Sequence, residues 1–264
     1  MNITAIIAAG GNSSRMQGKN KLLEEVGGKA LLVRTTEAFL KVGLVDQIII
    51  VAAEDPMESY MEALSRAGIL GKVKLVKGGR SRRESVYFGL LEVDKEARIV
   101  LIHDAARPLV SKKLILDCIE AAERHGACCA AVPVSDTLKE GNEKGFVKRT
   151  ISRDGLYKIQ TPQAFQYRDI MKLHKKAAFR NLRVTDDAQI AEYFGYHVYL
   201  VESDETNIKV TTPADLALAN ALLSSGDNAS AEDSLAAPEH GEFFTGGGGE
   251  TDAADIDSKQ TGDI

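Results

Sequence analysis

The stretch Ile3-Thr4-Ala5-Ile6-Ile7-Ala8-Ala9-Gly10-Gly11-Asn12-Ser13-Ser14-Arg15-Met16 leaves an apolar run through two glycines and three small polar residues, then meets an arginine. A short continuous apolar run rich in isoleucine reads as a first strand buried on both faces of a sheet. In open α/β sheets the turn after such a strand lies at the carboxyl edge, where ligands bind. Small residues there let the backbone approach a ligand, and their N–H groups form an anion-binding concavity. Phosphate is the expected occupant.

Two familiar phosphate loops are excluded by spelling. A dinucleotide fingerprint needs G-x-G-x-x-G, but Asn12 stands two residues after Gly10 and Ser13 two after Gly11. A P-loop needs G-x-x-x-x-G-K-[ST], but Met16 follows Gly11 at the required glycine, and Gly18-Lys19 is followed by Asn20. What remains is a glycine loop with Arg15, Lys19 and Lys21 downstream. An arginine fork and movable lysine charges together suit a triphosphate, whereas Arg15 taken alone reads equally as a solvated loop charge.

Beyond this loop the pattern alternates. Short β-branched runs at Ile3–Ala8, Gln47–Val51, Val73–Val76, Ile99–Ile102 and Cys128–Val134 are separated by helical spacing at Leu31–Val42, Met57–Arg66, Arg83–Leu91 and Lys113–Arg124. Alternation of this kind predicts an α/β fold with a mostly parallel sheet and helices on both faces. The rhythm breaks at Ser135–Arg153, which reads as a hairpin arm against a partner or as a solvated loop; composition leaves both open. Helical spacing resumes at Tyr167–Ala178 and Asp186–Tyr193, a strand is expected at His197–Val201, and Pro213 opens a last helix to about Leu223.

The 264 residues carry a net charge of -5, unevenly spread. Residues 224–264 hold ten acids and Lys259 alone among the bases, so the tail is -9, while residues 1–223, with 32 bases and 28 acids, are +4. The division predicts one domain over 1–223 and an acidic, glycine-rich, disordered tail over 224–264. A mildly basic body suits a phosphorylated small molecule, and no basic block argues for nucleic acid. Three cysteines form no CxxC pair, which points to a reducing cytoplasm; neither a signal peptide nor a membrane span is expected.

Three further segments converge on the carboxyl edge. Lys77-Gly78-Gly79-Arg80-Ser81-Arg82-Arg83-Glu84-Ser85 is a second glycine turn, either passing a base or ribose close to backbone, with Ser85 on a ring edge, or turning strand into helix with Ser81 as cap. His103-Asp104-Ala105-Ala106-Arg107-Pro108 places a carboxylate at a strand end, a hard oxygen ligand for Mg2+, beside alanines that leave room. His103 itself reads as a packed, hydrogen-bonded structural residue. In Asn207-Ile208-Lys209-Val210-Thr211-Thr212-Pro213, alternation turns Lys209 away from Ile208 and Val210, a fixed cation suited to a phosphoryl centre or a surface lysine.

The ordered series AAGGNSSRM, NKLL, GGRSRRESV, HDAARP, DTLK, TPQAF, TDDA and NIKVTTPADL resembles the 2-C-methyl-D-erythritol 4-phosphate cytidylyltransferases of the non-mevalonate isoprenoid pathway, over about residues 1–223. The resemblance implies a Rossmann-like nucleotidyltransferase fold and a homodimer whose arms complete each other's sites, which places an arm at about 135–153. It implies CTP with Arg15 and Lys21 at its phosphates, the backbone of Ala8, Ala9, Gly10 and Gly11 beside it, Gly79, Arg82, Ser85 and Ala105 around cytosine and ribose, and Asp104 near Mg2+. Contacts to 2-C-methyl-D-erythritol 4-phosphate carry over to Thr137, Arg153, Thr161 and Lys209, with Thr137 and Arg153 from the second subunit; Thr185 and Asp186 match a further family stretch. Arg15, Lys21 and Lys209 are the implied catalytic cations. A cytidylyltransferase for ribitol 5-phosphate is the nearest rival, and the alanines of HDAARP favour methylerythritol phosphate. A nucleotide-binding module without chemistry is the rival of another class, opposed by Arg15, Lys21, Asp104 and Lys209.

Overall fold

The computed structural model describes residues 2–11 and 20–229. In chain order the elements are β1 (Ile3–Ala9), β2 (Glu25–Val26), β3 (Lys29–Ala30), α1 (Leu31–Leu40), β4 (Gln47–Ala52), α2 (Met57–Arg66), β5 (Lys74–Lys77), α3 (Arg82–Leu91), β6 (Ile99–Asp104), α4 (Lys112–His125), β7 (Ala127–Pro133), β8 (Leu138–Gly141), β9 (Val147–Ile151), β10 (Tyr157–Gln166), α5 (Tyr167–Phe179), α6 (Asp187–Tyr193), β11 (Tyr199–Glu202) and α7 (Pro213–Ala229). Seven strands form one sheet in the order β11-β7-β10-β6-β1-β4-β5.

Side-chain alternation along the interior strands builds two cores. Ile3, Ala5 and Ile7 of β1, Ile48 and Ile50 of β4 and Leu101 of β6 join α1, α2 and α4 on one face. Ile6, Ile49, Val51, Val100 and Ile102 point the other way, against Val86 and Leu90 of α3, Ile170 and Leu173 of α5 and Ile190 of α6. Both faces are covered, which is why the strands read as continuous rather than alternating apolar runs. Helix α3 sits close to the sheet because Gly89 faces it: a Cβ there would lie 2.8 Å from Val51 Cγ2 and 3.0 Å from Ile6 Cγ2.

The expected strands and helices are present with ends shifted by a few residues. One strand of the seven-stranded sheet went unread, as did the short pair β2–β3. β10 inserts antiparallel between β6 and β7, while β1 runs parallel to β4 and β6, β4 to β5, and β7 to β11. Its sequence, YKIQTPQAFQ, carries a proline and buried glutamines in place of an apolar repeat, and its register with β7 shifts between Ile159 and Gln163, around Pro162. The segment 135–153 forms the antiparallel hairpin β8–β9 rather than an irregular loop, and it is called the arm below. Helix α7 continues past Leu223 to Ala229, beyond the expected domain boundary; residues 230–264, most of the expected tail, lie outside the described residues. No helix among the described residues is long and apolar enough to cross a membrane.

Candidate active site

From β1 the chain steps outward to β4 and β5, then returns across β1 to form β6 on its other side. The order of connection reverses between β1 and β6, and such reversals open a crevice at the carboxyl ends of the strands. Two of the expected segments meet there directly. The Ala105 N–H donates to the Ala8 carbonyl at 3.0 Å, joining the end of β6 to the start of the glycine loop. Gly10 and Gly11 are exposed at its rim, whereas Ala9 and Ala105 are buried beneath it. Arg15 and Lys19 lie outside the described residues.

The turn after β5 is built as a strand-to-helix turn. Ser81 caps α3, its Oγ accepting from Glu84 N at 3.1 Å, and Glu84 reaches back to Arg80 N at 2.7 Å, a variant of the reciprocal capping box. Ser85 lies between the two glycine turns: its Oγ accepts from Gly79 N at 3.0 Å and lies 3.6 Å from where a Gly10 Cβ would be. Gly78 is required by the protein itself. A Cβ there would stand 2.8 Å from Ser85 Oγ and 3.2 Å from the Ala52 carbonyl, which already accepts from Gly78 N at 2.7 Å.

Asp104 is the electrostatic centre. Lys209 Nζ is 2.7 Å from its Oδ2, Arg82 Nε 3.7 Å from Oδ1 and Arg107 Nε 3.9 Å from Oδ2. Burial pushes the carboxyl upward, but these three cations outweigh burial and bring its pKa down to about 2. Asp104 is therefore an anion at any physiological pH. Its backbone is fixed from β10: Asp104 N donates to Thr161 Oγ1 at 3.0 Å, the Thr161 hydroxyl meets His103 Nδ1 at 3.0 Å, and His103 Nε2 meets the Arg107 carbonyl at 3.1 Å. Only one proton arrangement satisfies every link, with Thr161 donating to Nδ1 and the imidazole donating from Nε2. His103 is fully buried, and burial lowers its pKa to about 4, so it is the neutral structural residue its sequence context suggests.

Lys209 is held by the segment around it. Arg107 donates to the Asn207 carbonyl at 2.6 Å, Val210 N to the Ala106 carbonyl at 2.8 Å, and Lys21 Nζ to the Val210 carbonyl at 3.1 Å. Asn207 in turn donates to Gln160 Oε1 at 2.8 Å and the Thr161 carbonyl at 2.9 Å. Just beyond, Asp215 accepts from Thr212 N at 2.8 Å while Thr212 Oγ1 accepts from Asp215 N at 3.2 Å, a capping box that starts α7 with Pro213 in its first turn. The strand-like segment is thereby pinned on both sides, and the lysine emerges 42% exposed.

Arg82 faces two carboxylates. Its NH1 is 2.6 Å from Asp187 Oδ2, and burial, which would lower its pKa, is outweighed by Asp187 and Asp104. Of the pair in TDDA, sequence reasoning singled out Asp186, and the second aspartate, Asp187, is the one paired with Arg82. Asp186 caps α6, accepting from Gln189 N at 2.9 Å, and Thr185 binds Gln189 Oε1 through its N–H at 2.8 Å. Asn207, Arg107 and Gln163 were also missed as site residues. Each sits inside a quoted motif, but buried polar contacts have no sequence period. Thr137 and Arg153 are on the arm and exposed; Arg153 donates to the Ser135 carbonyl, and among the described residues no hydrogen bond or ion pair joins either to the Asp104 cluster.

The family model of 2-C-methyl-D-erythritol 4-phosphate cytidylyltransferase matches residues 3–225. The chain belongs to this family. A cytidylyltransferase of that name from Caldanaerobacter subterraneus subsp. tengcongensis is 41% identical over 225 residues, 84% of this chain and 99% of the relative. One from Clostridium acetobutylicum is 43% identical over 221 residues, 83% and 96% of the two chains. Among solved cytidylyltransferase structures, the 4-diphosphocytidyl-2C-methyl-D-erythritol synthase of Anaerococcus prevotii superposes with a TM-score of 0.73 at 34% identity, covering 84% of this chain and 96% of that one. The Thermus thermophilus enzyme gives 0.71 at 32%, covering 85% and 100%.

Proposed function

We propose that this chain transfers CMP from CTP to 2-C-methyl-D-erythritol 4-phosphate, releasing pyrophosphate and forming 4-diphosphocytidyl-2-C-methyl-D-erythritol for isoprenoid precursor synthesis. The observation that carries the reading is the crevice at the β1/β6 reversal, where exposed glycine backbone and Lys209, gripped by a carboxylate, face one opening in a chain of this family. In the reaction a phosphate oxygen of the acceptor forms a bond to the α-phosphorus of CTP while the bond from that phosphorus to the bridging oxygen of pyrophosphate breaks. The attacking phosphate is already ionised near neutral pH, so no general base is required. Positioning and charge neutralisation dominate, as in other phosphoryl transfers.

Ala8 to Gly11 line the nucleotide with backbone, Gly79, Arg82, Ser85 and Ala105 frame its base and ribose, and Arg15 and Lys21 serve the triphosphate. Lys209 supplies a fixed charge at the five-coordinate phosphorus. The donor set fits Mg2+ held largely by the substrate. No group of three or more His, Cys, Asp or Glu converges among the described residues, but Mg2+ in nucleotide sites often takes one or two carboxylates with phosphate oxygens and water, and Asp104 is a reliably ionised one. Bound there, Mg2+ would neutralise triphosphate charge and ease the departure of pyrophosphate.

The functional unit is a homodimer whose β8–β9 arms deliver Thr137 and Arg153 to the partner's acceptor site. The exposed Phe146 (69%) and Val147 (63%) at the arm support a surface built to be covered. A cytoplasmic location is supported by Cys118, Cys128 and Cys129, all free and buried. The test is pyrophosphate release by purified protein with CTP and Mg2+, comparing 2-C-methyl-D-erythritol 4-phosphate with ribitol 5-phosphate. Turnover with the first acceptor alone is expected. Preference for ribitol 5-phosphate, or CTP binding with no release for either, overturns the reading.

A further inference from the structure

Behind the crevice lies a set of buried polar residues too deep to reach any ligand. The Asp187 side chain is 1% exposed, His174 is fully buried and Gln163 is 1% exposed. His174 Nε2 is 3.1 Å from Asp187 Oδ1, and since Asp187 is held ionised by Arg82 against its burial, that nitrogen carries the proton. Gln163 Oε1 accepts from both Asp187 N and Ala188 N at 3.0 Å, and its Nε2 donates to Asp186 Oδ2 at 3.0 Å. The start of α6 is thus hung on β10.

Thr161 of the same strand holds the Asp104 backbone. Both carboxylates that grip Arg82 are therefore set by side chains two residues apart on the antiparallel strand. The arginine between them is 29% exposed, whereas its anchor Asp187 is 1% exposed. A buried charge pair is a poor device for stability alone, because well-packed apolar residues of similar volume do as well or better. A fixed direction for a planar donor is what the pair supplies in their place.

We propose that Asp187, set by Gln163 and His174, is the positioning residue for Arg82: it acts on the nucleotide only through that guanidinium and tunes CTP affinity rather than the chemical step. The inference rests on the cytidylyl-transfer reading, in which Arg82 meets the nucleotide.

The experiment is calorimetric titration of CTP into the full-length wild type, Asp187→Asn, Arg82→Ala and the double variant, with thermal melts of each. Asp187→Asn and Arg82→Ala are each expected to weaken CTP about tenfold, the loss of one charge-assisted contact. The double variant is expected to bind no more weakly than Arg82→Ala, because removing Arg82 removes the route by which Asp187 acts. In turnover assays Asp187→Asn raises KM for CTP while kcat at saturation stays within about twofold, the pattern of lost binding common to ground and transition states.

Unchanged CTP affinity in folded Asp187→Asn overturns the inference, as does a full additional tenfold loss in the Arg82→Ala background. Should Asp187→Asn not fold, His174→Gln is read instead, with roughly threefold weaker CTP supporting the proposal and wild-type affinity opposing it. Wild-type protein that binds no CTP would overturn the cytidylyl-transfer reading and this inference with it; wild-type binding beside a silent Asp187→Asn overturns the inference alone.

Discussion

The crevice at β1 and β6 and the β8–β9 arm are both rich in charge, yet they hold it in opposite ways. In the crevice, Asp104 is 12% exposed and takes cations from three separate elements: Arg82 of α3, Arg107 after β6 and Lys209 before α7. On the arm, Glu140 pairs across one hairpin with Lys148 and Arg149, whose side chains are 63% and 68% exposed. Solvent screens the second set and makes its members interchangeable, whereas the first converges on a largely buried carboxylate and each member depends on the rest. The apolar residues reverse the pattern: they are sealed beneath the crevice and left open on the arm. On the proposed reading, charge does the work in the first region and uncovered apolar surface in the second.

The comparison breaks most visibly at Lys209. Lys209→Ala is expected to lower kcat by roughly a hundredfold or more while the fold survives, the cost of losing one preorganised donor at developing charge. Arg15→Ala is expected to act on the same scale. Near wild-type pyrophosphate release at saturating CTP would remove either residue from the catalytic set.

Acid titration tests the desolvated side. Burial lowers the His103 pKa to about 4 in the folded protein, from an ordinary imidazole value of about 6.5, so the unfolded chain takes up a proton before the folded one as pH falls. Above pH 6.5 the imidazole is neutral in both states and costs nothing; from 6.5 down to 4 stability is lost, by about 3 kcal/mol in total from this group. Denaturant midpoints of wild type and His103→Gln between pH 7 and 4 should diverge from each other by that loss. Parallel curves would mean that His103 is not held neutral.

Next in size is the arm tip. Phe146→Asp combined with Val147→Asp is expected to halve the mass in sedimentation and to lower turnover roughly tenfold by withdrawing contacts that position the acceptor. A dimer of undiminished activity would return the arm to a solvated hairpin. The smallest change is expected from Glu140→Gln, which should leave melting temperature, mass and turnover alike unaltered; a measurable loss in any of them would show that the arm's charges are shielded by a partner.

Much of this was legible in the chain. Runs such as Ile3–Ala8 and Ile99–Ile102 have a length and composition that admit little other than buried strands, and Gly10-Gly11 and Asp104 at their ends mark the carboxyl edge. Ser81 and Pro213 announced helix starts through local hydrogen bonding, and the structure keeps both. β10 was not legible, because a strand whose buried residues include Gln160, Thr161 and Gln163 carries no hydrophobic period. Asp187 was passed over for its neighbour Asp186 because nothing local distinguishes a capping aspartate from a buried ion-pair partner.

By itself the sequence determined what depends on near neighbours: the alternating elements, the turns, the caps and the family motifs in their order. The tertiary structure alone decided which charges meet. Arg82, Asp104, Asp187 and Lys209 come from four distant parts of the chain, and the two buried carboxylates that gather the cations are held by β10, which enters between β6 and β7. Electrostatic work depends on separation in space and on exclusion of water, and neither is a property of position along a chain.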